Sequence, residues 1–273
     1  MGNWTGTLLL AAALTTGGCG DETGPGSGSA TAPPPEATAP ATSTASTAPI
    51  PLGPELQAAA GLIGRQQTDS ARVRLGPFIE AHPDDGKAAF LMGLTYHREK
   101  RYALARPWFE SAAALAPEYH PTHHFHGWCL YYLGDMQGAR AAFDRHLAFL
   151  PAEGDSHFAL GLIALDEDRL DDARQRFRRA IELQQDNPRR VRDVSKAHAR
   201  LADVHIRRGE LEVARDELEI ATSLWPQHYT AFYKLSRVLN RLGDNEAADE
   251  AFRLYRKWEA RAEKPRGVPE RGP

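Results

Sequence analysis

The sequence has no apolar stretch long enough to cross a bilayer as a helix. Its longest apolar run, Leu8–Leu14, has seven residues, whereas a membrane-spanning helix needs about 20. Cysteine is scarce, because Cys19 and Cys129 are the only two and cannot form a disulfide framework. Neither sign of charge dominates: 33 basic and 36 acidic side chains argue against a general nucleic-acid binder. With 42% hydrophobic and 25% charged residues among 273, the composition is that of a globular chain.

The sequence also lacks the motifs of common nucleotide-dependent and hydrolytic enzymes. It contains no phosphate-binding GxxxxGK[ST] loop, no GxSxG nucleophile turn, no HExxH zinc motif and no CxxCH haem motif. Two acidic pairs fit a turn, at Asp84 and Asp85, and a helix start, at Asp171 and Asp172. We therefore predict that the chain is not an enzyme and that it uses no cofactor.

The first 50 residues differ from the rest in containing no Lys or Arg. Within them, Leu8–Leu14 has the form of the apolar core of a signal peptide, and the small residues Thr16–Gly18 directly precede Cys19. This order resembles a bacterial lipoprotein signal over residues 1–19, and the resemblance implies cleavage before Cys19 and acylation of that residue. An ordinary secretion signal or a disordered cytosolic tail is the alternative.

The segment after Cys19 has the composition of a flexible linker. Residues 24–49 are almost entirely Gly, Ser, Thr, Ala and Pro, which offers too little apolar surface to offset the entropy lost on ordering. We therefore predict a disordered tether over residues 20–51. Beyond it the chain is neutral overall, because residues 51–273 carry 33 acidic and 33 basic side chains.

The rest of the chain repeats itself with a period of 34 residues. In the unit 86–119, Gly93 lies in the first half and Ala105 and Phe109 lie in the second. Further units in register cover 120–153, 154–187, 195–228 and 229–262. This spacing of glycine, alanine and phenylalanine is similar to that of the tetratricopeptide repeat, and the match extends over residues 86–262.

The resemblance implies an all-α fold, a right-handed superhelical solenoid of helix-turn-helix hairpins. Each hairpin can bury its apolar stripe only against its neighbours, so stacking supplies the core. Besides the five clear units, residues 52–85 are similar to a degenerate first repeat. We interpret residues 188–194 as an inserted basic loop and residues 263–273 as a disordered tail.

Two local expectations follow from the repeat register. Pro77 falls inside the second helix of the degenerate repeat, where proline removes a backbone donor, so this helix should kink or end at Leu75. A large aromatic side chain recurs at one position of the second helix and should fill the space between neighbouring hairpins. The residues at this position are Phe109, Phe143, Phe177 and Phe252.

The resemblance also implies a binding groove, because the first helices of successive tetratricopeptide hairpins line the inner face of the array. At the groove positions we expect an aromatic patch in three adjacent repeats, followed by a basic half. The predicted partner-binding residues are Phe90, His97, His124, Trp128, Tyr131, Tyr132, Phe158, Lys196, Arg207, Tyr233 and Arg237. The competing interpretation is that the aromatic side chains pack against neighbouring helices.

A cluster of histidines at the start of the third repeat is a second candidate site. His120 and His124 are four residues apart, and His123 and His126 are three apart, so each pair shares a helix face. Imidazoles at this spacing, with Cys129 beyond them, can ligate zinc, copper or nickel. Because His123 and His126 fall at repeat positions that pack between helices, we interpret the cluster as structural and predict no metal site.

Together these features predict a non-catalytic scaffold or adaptor at the bacterial cell envelope. A lipid on Cys19 would hold the chain to a membrane, and a protein or peptide partner would bind in the groove. We expect no nucleic-acid partner. The alternative is an exported soluble protein that binds a metal or a small ligand through the His120–His126 cluster.

Overall fold

The structure is a computed structural model that describes residues 52–263, and this part of the chain contains helices and no β-strand. Its α-helices are α1 Pro54–Gly64, α2 Thr68–Ala81, α3 Gly86–Arg98, α4 Tyr102–Leu115, α5 Pro121–Tyr132, α6 Met136–Phe149, α7 Gly154–Asp166, α8 Leu170–Gln184, α9 Val191–Arg208, α10 Leu211–Leu224, α11 Tyr229–Leu242 and α12 Asn245–Glu263. The predicted export segment, Cys19, the tether and the tail after Glu263 lie outside the described residues.

The helices are arranged as consecutive hairpins. Each odd-numbered helix packs against the even-numbered helix that follows it, and each even-numbered helix from α2 to α10 packs against the next odd-numbered one. Successive odd-numbered helices from α1 to α9 also contact each other. The predicted all-α solenoid of helical hairpins is therefore confirmed. The odd-numbered helices share one side of the array, which we call the inner face.

Close packing within a hairpin depends on a glycine of the first helix. A Cβ atom on Gly127 would lie 2.8 Å from the ring of Phe143, which is closer than side chains normally approach. The same contact joins Gly93 to Phe109 and Gly161 to Phe177. All three phenylalanine rings are fully buried, so the small residue and the large one together form the core of each hairpin.

Phe252 corrects the expectation that every residue at this position is buried between hairpins. It lies on α12 and is 45% exposed, whereas Phe109, Phe143 and Phe177 are 0% exposed. Within the described residues, α12 is the last helix, and no following hairpin covers its outer side. The burial of this position therefore depends on the next repeat.

Pro77 does not end the second helix, so the possible end at Leu75 is wrong. Helix α2 continues through Pro77 to Ala81. Proline leaves the carbonyl four residues earlier, on Val73, without its helical donor. Because Pro77 and Val73 both lie on the exposed side of α2, water can bind this carbonyl and the helix can continue.

The insertion is helical, which differs from the predicted loop. A short 3-10 helix, Pro188–Arg190, leads directly into α9 at Val191. Arg190 donates a hydrogen bond to Asp155 on α7 over 2.9 Å and lies 3.3 Å from Asp193 on α9. The insertion is therefore fixed to the preceding hairpin by a buried acidic side chain.

None of the helices in residues 52–263 combines the length and the apolar character that crossing a bilayer requires.

We expect Gly127→Ala to lower the free energy of unfolding by about 1–3 kcal/mol, because the added methyl group collides with the Phe143 ring. Gly64→Ala is the matched control, since Gly64 is exposed at the end of α1 and no atom outside its own helical turn lies within 4 Å of its Cβ position. Alanine there should leave stability unchanged or raise it by about 0.5–1 kcal/mol. Urea unfolding followed by circular dichroism measures both, and equal midpoints for the two variants would contradict the packing argument.

Candidate functional site

Three of the predicted groove residues are buried. Phe90 is 3% exposed, and Trp128 and Phe158 are each 7% exposed. The centroid of the Phe90 ring lies 6.0 Å from that of Phe109, and the centroid of Trp128 lies 5.4 Å from that of Phe143. The expectation that these aromatic side chains form open surface is therefore corrected. Phe90 also packs against Phe125 of the next odd-numbered helix, and the Phe158 ring packs against Phe177 of its own hairpin, so these positions belong to the core.

Tyrosines at the end of α5 provide the exposed aromatic surface at the edge of the inner face. Tyr132 is 49% exposed and stacks on Tyr102 of α4, with 4.6 Å between ring centroids. Tyr131 is half-buried, and its hydroxyl donates a hydrogen bond to Oδ2 of Asp166 on α7 over 3.0 Å. We call Tyr102, Tyr131 and Tyr132 the tyrosine patch. It connects three successive hairpins.

The hydroxyl groups of the patch remain protonated at neutral pH. Burial, reinforced by the nearby charge of Asp166, raises the pKa of Tyr131 to about 12. Burial also raises the pKa of Tyr102 to about 12. Sequence analysis missed Tyr102, because it lies on a second helix and the groove positions of the repeat are all on first helices.

The predicted basic half contains exposed aromatic and cationic side chains on α11. Tyr233 is 41% exposed, and Arg237 is also exposed. The guanidinium carbon of Arg237 lies 5.9 Å from the centroid of the Tyr233 ring, within the range of a cation–π contact. These two residues, one helical turn apart, therefore present a flat ring and a charge side by side.

Of the two predicted cations of α9, Arg207 joins neighbouring hairpins and Lys196 pairs within its own helix. Arg207 donates a hydrogen bond to the carbonyl oxygen of Leu165 over 2.6 Å and lies 3.3 Å from Asp168. Lys196 lies 3.2 Å from Asp193 on the same helix. Arg207 is 43% exposed at its side chain, so it can still contact a ligand while it joins α9 to the end of α7.

A half-buried lysine on α11 that sequence analysis missed contacts α9. Nζ of Lys234 is 2.7 Å from Oδ2 of Asp203 and 3.3 Å from the carbonyl oxygen of Ala199. Arg200 shares the same carboxylate over 3.2 Å. Burial lowers the pKa of Lys234. Its repeat position is not a groove position, and only its charge inside an apolar helix could have indicated this role.

A buried histidine, His228, lies near the cations of α9 and α11. Burial lowers its pKa to about 4, with further lowering by the charges of Lys234, Lys196 and Arg200. Three cations from α9 and α11 therefore act on one buried site. The inner face is tyrosine-rich at α5, whereas α9 and α11 together carry eight lysine and arginine side chains and two acidic ones.

The two histidines predicted for the groove lie in the packed interior beside the tyrosine patch. The ring centroid of His97 is 5.4 Å from that of Tyr102 and 5.5 Å from that of Phe125. Burial lowers the pKa of His97 to about 4. Nδ1 of His124 lies 3.4 Å from Oγ of Ser156 on α7. Both rings therefore serve the contacts between hairpins.

His124 belongs to a network that joins the third hairpin to the fourth. Its ring centroid lies 5.1 Å from that of His146 on α6, and Nδ1 of His146 is 2.8 Å from Oγ of Ser156. Burial lowers the pKa of both histidines to about 3. Both imidazoles are therefore neutral at neutral pH, which allows them to occupy the core.

The remaining histidines of the cluster do not converge on a metal position. Nε2 of His123 donates a hydrogen bond to the carbonyl oxygen of Pro117 over 2.8 Å. Cys129 is buried, and its thiol contacts the carbonyl oxygen of Tyr102 at 3.2 Å. Within residues 52–263, no group of three or more His, Cys, Asp or Glu side chains is placed to hold a metal ion.

The repeat spacing, the stacked hairpins and the inner face point to one family. The sequence profile described as Tetratricopeptide repeat matches residues 56–120, 126–188 and 199–265. The chain belongs to the tetratricopeptide repeat family. Members of this family are generally non-catalytic scaffolds that bind protein or peptide partners. No curated protein matches the chain.

Solved tetratricopeptide structures share the fold. PilW, described as a type IV pilus biogenesis factor, is 19% identical with a TM-score of 0.64, covering 78% of this chain and 94% of its own. Pseudomonas aeruginosa pilF is 18% identical with a TM-score of 0.62, covering 76% and 96%. YrrB, described as having an unusual peptide-binding site, is 17% identical with a TM-score of 0.53, covering 68% and 92%. At these identities the likeness shows the fold alone.

We expect acid to destabilise the protein through the buried histidines. In the folded chain the pKa of His124 and of His146 is about 3, below the ordinary 6.5, so the unfolded chain binds more protons once the pH falls below 6.5. Each histidine therefore removes about 1.4 kcal/mol of stability per pH unit between pH 6.5 and its folded pKa. Urea unfolding at pH 7.5, 6 and 5 measures this slope.

His146→Gln should reduce the loss of stability between pH 6.5 and 5, although it also removes the hydrogen bond to Ser156 and lowers stability at pH 7.5. His82→Gln is the control, since His82 is exposed, and it should leave the slope as in the unsubstituted chain. If His146→Gln and the unsubstituted chain lose stability with equal slopes, the histidine network does not cause the acid sensitivity.

Proposed function

We propose that the chain is a non-catalytic scaffold that binds a peptide segment of a protein partner along its inner face. The observation that carries this proposal is the exposure of the tyrosine patch beside a positively charged half-groove. Tyr132 and Tyr233 expose nearly half of their surface, and Arg207 and Arg237 are exposed beside or between them. Such side chains give a large contact area with polar groups for orientation.

The partner segment lies across the ends of the odd-numbered helices in this proposal. At the α5 end, the exposed ring of Tyr132 packs on apolar side chains of the peptide. At the α11 end, Arg237 and Tyr233 contact acidic and planar groups. The buried Phe90, Trp128 and Phe158 support this surface from below rather than touching the partner, because their rings are covered by neighbouring helices.

We further propose that the scaffold works at the bacterial cell envelope. Support comes from the apolar segment Leu8–Leu14 followed by Cys19 and by a Gly/Ser/Pro-rich tether. The similarity to two proteins described with pilus names, pilF and the pilus biogenesis factor PilW, agrees with this location. A lipid on Cys19 and a flexible tether would raise the effective concentration of the scaffold near its partner. For the alternative of an exported metal- or small-ligand-binding protein, no group of three or more His, Cys, Asp or Glu side chains in residues 52–263 is placed to hold a metal ion.

The double variant Tyr132→Ala/Arg237→Ala should lose its partner. We expect crosslinking and capture from intact bacterial cells that express the full chain to recover at least tenfold less of the proteins bound by the unsubstituted chain. The control is Val213→Ala/Ile220→Ala, which removes similarly exposed apolar side chains, 42% and 43%, from the second helix α10. Circular dichroism checks that both variants keep their helix content. Undiminished capture by the inner-face variant would contradict the proposal.

The anchor is tested separately. Cys19→Ser should abolish incorporation of radiolabelled palmitate and move the chain from the membrane pellet to the soluble fraction. Cys129→Ala is the matched control, because this thiol is buried, and it should retain both label and membrane association. Labelling of the Cys19→Ser variant would refute lipidation at this residue without bearing on the inner face.

A further inference from the structure

The last hairpin exposes a surface that every earlier hairpin buries. The position occupied by Phe252 holds Leu75, Phe109, Phe143, Phe177 and Leu218 in the preceding hairpins, and these five are at most 1% exposed. Phe252 is 45% exposed. In the interior of the array, the first helix of the following hairpin packs on this side of the second helix. The corresponding side of α12 is available for another helix.

Aromatic side chains from α11 and α12 extend this surface. The ring centroid of Tyr255 lies 5.5 Å from that of Phe252, 5.2 Å from that of Tyr233 and 6.4 Å from that of Tyr229. We call these four residues the terminal aromatic face. Rings in mutual contact bury much area at low cost in side-chain entropy when a partner covers them.

The charges of α12 are distributed so that the helix complements a second copy of itself. Three of its five acidic residues, Glu246, Asp249 and Glu250, lie in its first half. All four basic residues follow Phe252, together with Glu259 and Glu263; they are Arg253, Arg256, Lys257 and Arg261. Arg256 also lies 3.3 Å from Glu259 of its own helix. Asp249 is three residues before Phe252 and Arg256 is four residues after it, so all three share one side of the helix. If a second α12 helix packs antiparallel to the first with the two Phe252 residues near each other, Asp249 of one helix lies opposite Arg256 of the other.

We propose that the terminal aromatic face binds a second copy of this chain, with the two α12 helices antiparallel about a twofold axis near Phe252. The two Phe252 rings then meet at the centre. Asp249 of each copy faces Arg256 of the other, which supplies two equivalent ion pairs. The twofold arrangement closes the assembly at a dimer.

A membrane surface is the other occupant to consider, because aromatic and basic residues together suit lipid headgroups. The composition of α12 favours the second copy, since five acidic residues outnumber four basic ones along Asn245–Glu263. A helix with a net negative charge gains no attraction from anionic lipids. A second copy with reversed orientation uses both signs of charge.

The first test is the mass of the purified full chain carrying Cys19→Ser, so that neither an acyl chain nor a disulfide at this position contributes to association. We expect light scattering coupled to gel filtration to give a dimer at about 50 μM. Phe252→Asp should give a monomer with unchanged helix content. Ile220→Asp is the matched control, because Ile220 is 43% exposed on α10, and it should remain a dimer. A monomeric Cys19→Ser chain, or a mass that grows beyond the dimer with concentration, would overturn the twofold proposal.

The second test reverses charges. Asp249→Arg places two arginines opposite each other, and Arg256→Asp places two aspartates opposite each other, so each variant should weaken dimerisation at least tenfold. The double variant Asp249→Arg/Arg256→Asp should restore it. Within one helix these residues are seven apart, about 10 Å along the axis, so a contact within the chain cannot produce the rescue. Absence of rescue would overturn the antiparallel pairing.

Sedimentation with vesicles of phosphatidylglycerol and phosphatidylethanolamine tests the lipid alternative. It uses the full chain carrying Cys19→Ser, so that no acyl chain contributes. We expect no binding that depends on Phe252. Binding that is lost in the added variant Phe252→Asp would overturn the proposal in favour of a lipid surface. Phe252→Asp leaves the tyrosine patch unchanged, so capture of a partner through Tyr132 is tested separately from dimerisation. Tyr233 belongs to both surfaces, and its substitution would therefore affect both.

Discussion

The structure depends on the inability of a single helical hairpin to bury its own apolar side. Glycine in the first helix brings the two backbones close enough for a phenyl ring to fill the space between them, as Gly161 and Phe177 do. The ring is then covered by the next hairpin. Stability therefore comes from contacts between neighbours in sequence, and every other property of the array follows from which side chains these contacts cover.

The same contacts decide what the inner face can offer to a partner. Successive odd-numbered helices touch, so side chains near their centres, such as Phe90 and Phe158, become core. Tyr132, at the end of α5, and Tyr233 and Arg237, on α11, remain accessible. Polar groups that are caught between hairpins must be neutral or paired. The histidines achieve this by losing their proton, and Lys234 achieves it by contact with Asp203.

The fold could be predicted from the sequence because a period of 34 residues fixes both helices and their packing partners. The site could be predicted only in part. The repeat register predicts which face of a first helix lines the groove, but it does not predict how exposed each residue on that face is. Trp128 and Tyr132 both lie on α5, and they are 7% and 49% exposed. The Trp128 ring packs against Phe143 of α6, whereas Tyr132 lies at the end of α5 against Tyr102 of α4, and these tertiary contacts are not encoded in a local pattern. Tyr102 joins the patch from a second helix, so its contribution depends on the turn between the helices.

The ends of the array are subject to the same constraint as its interior. In a repeat that stacks, the second helix carries a large apolar residue that the next repeat covers. In a terminal repeat this residue must be replaced by polar side chains or be covered by another partner. Helix α12 carries charged side chains over much of its surface, and Phe252 remains exposed among them. Because the charges change sign along the helix, an approaching helix of the same sequence is attracted in one orientation and repelled in the other. The order of charges along α12 therefore selects the antiparallel orientation of the second copy, and the terminal aromatic face supplies the apolar area that the contact buries.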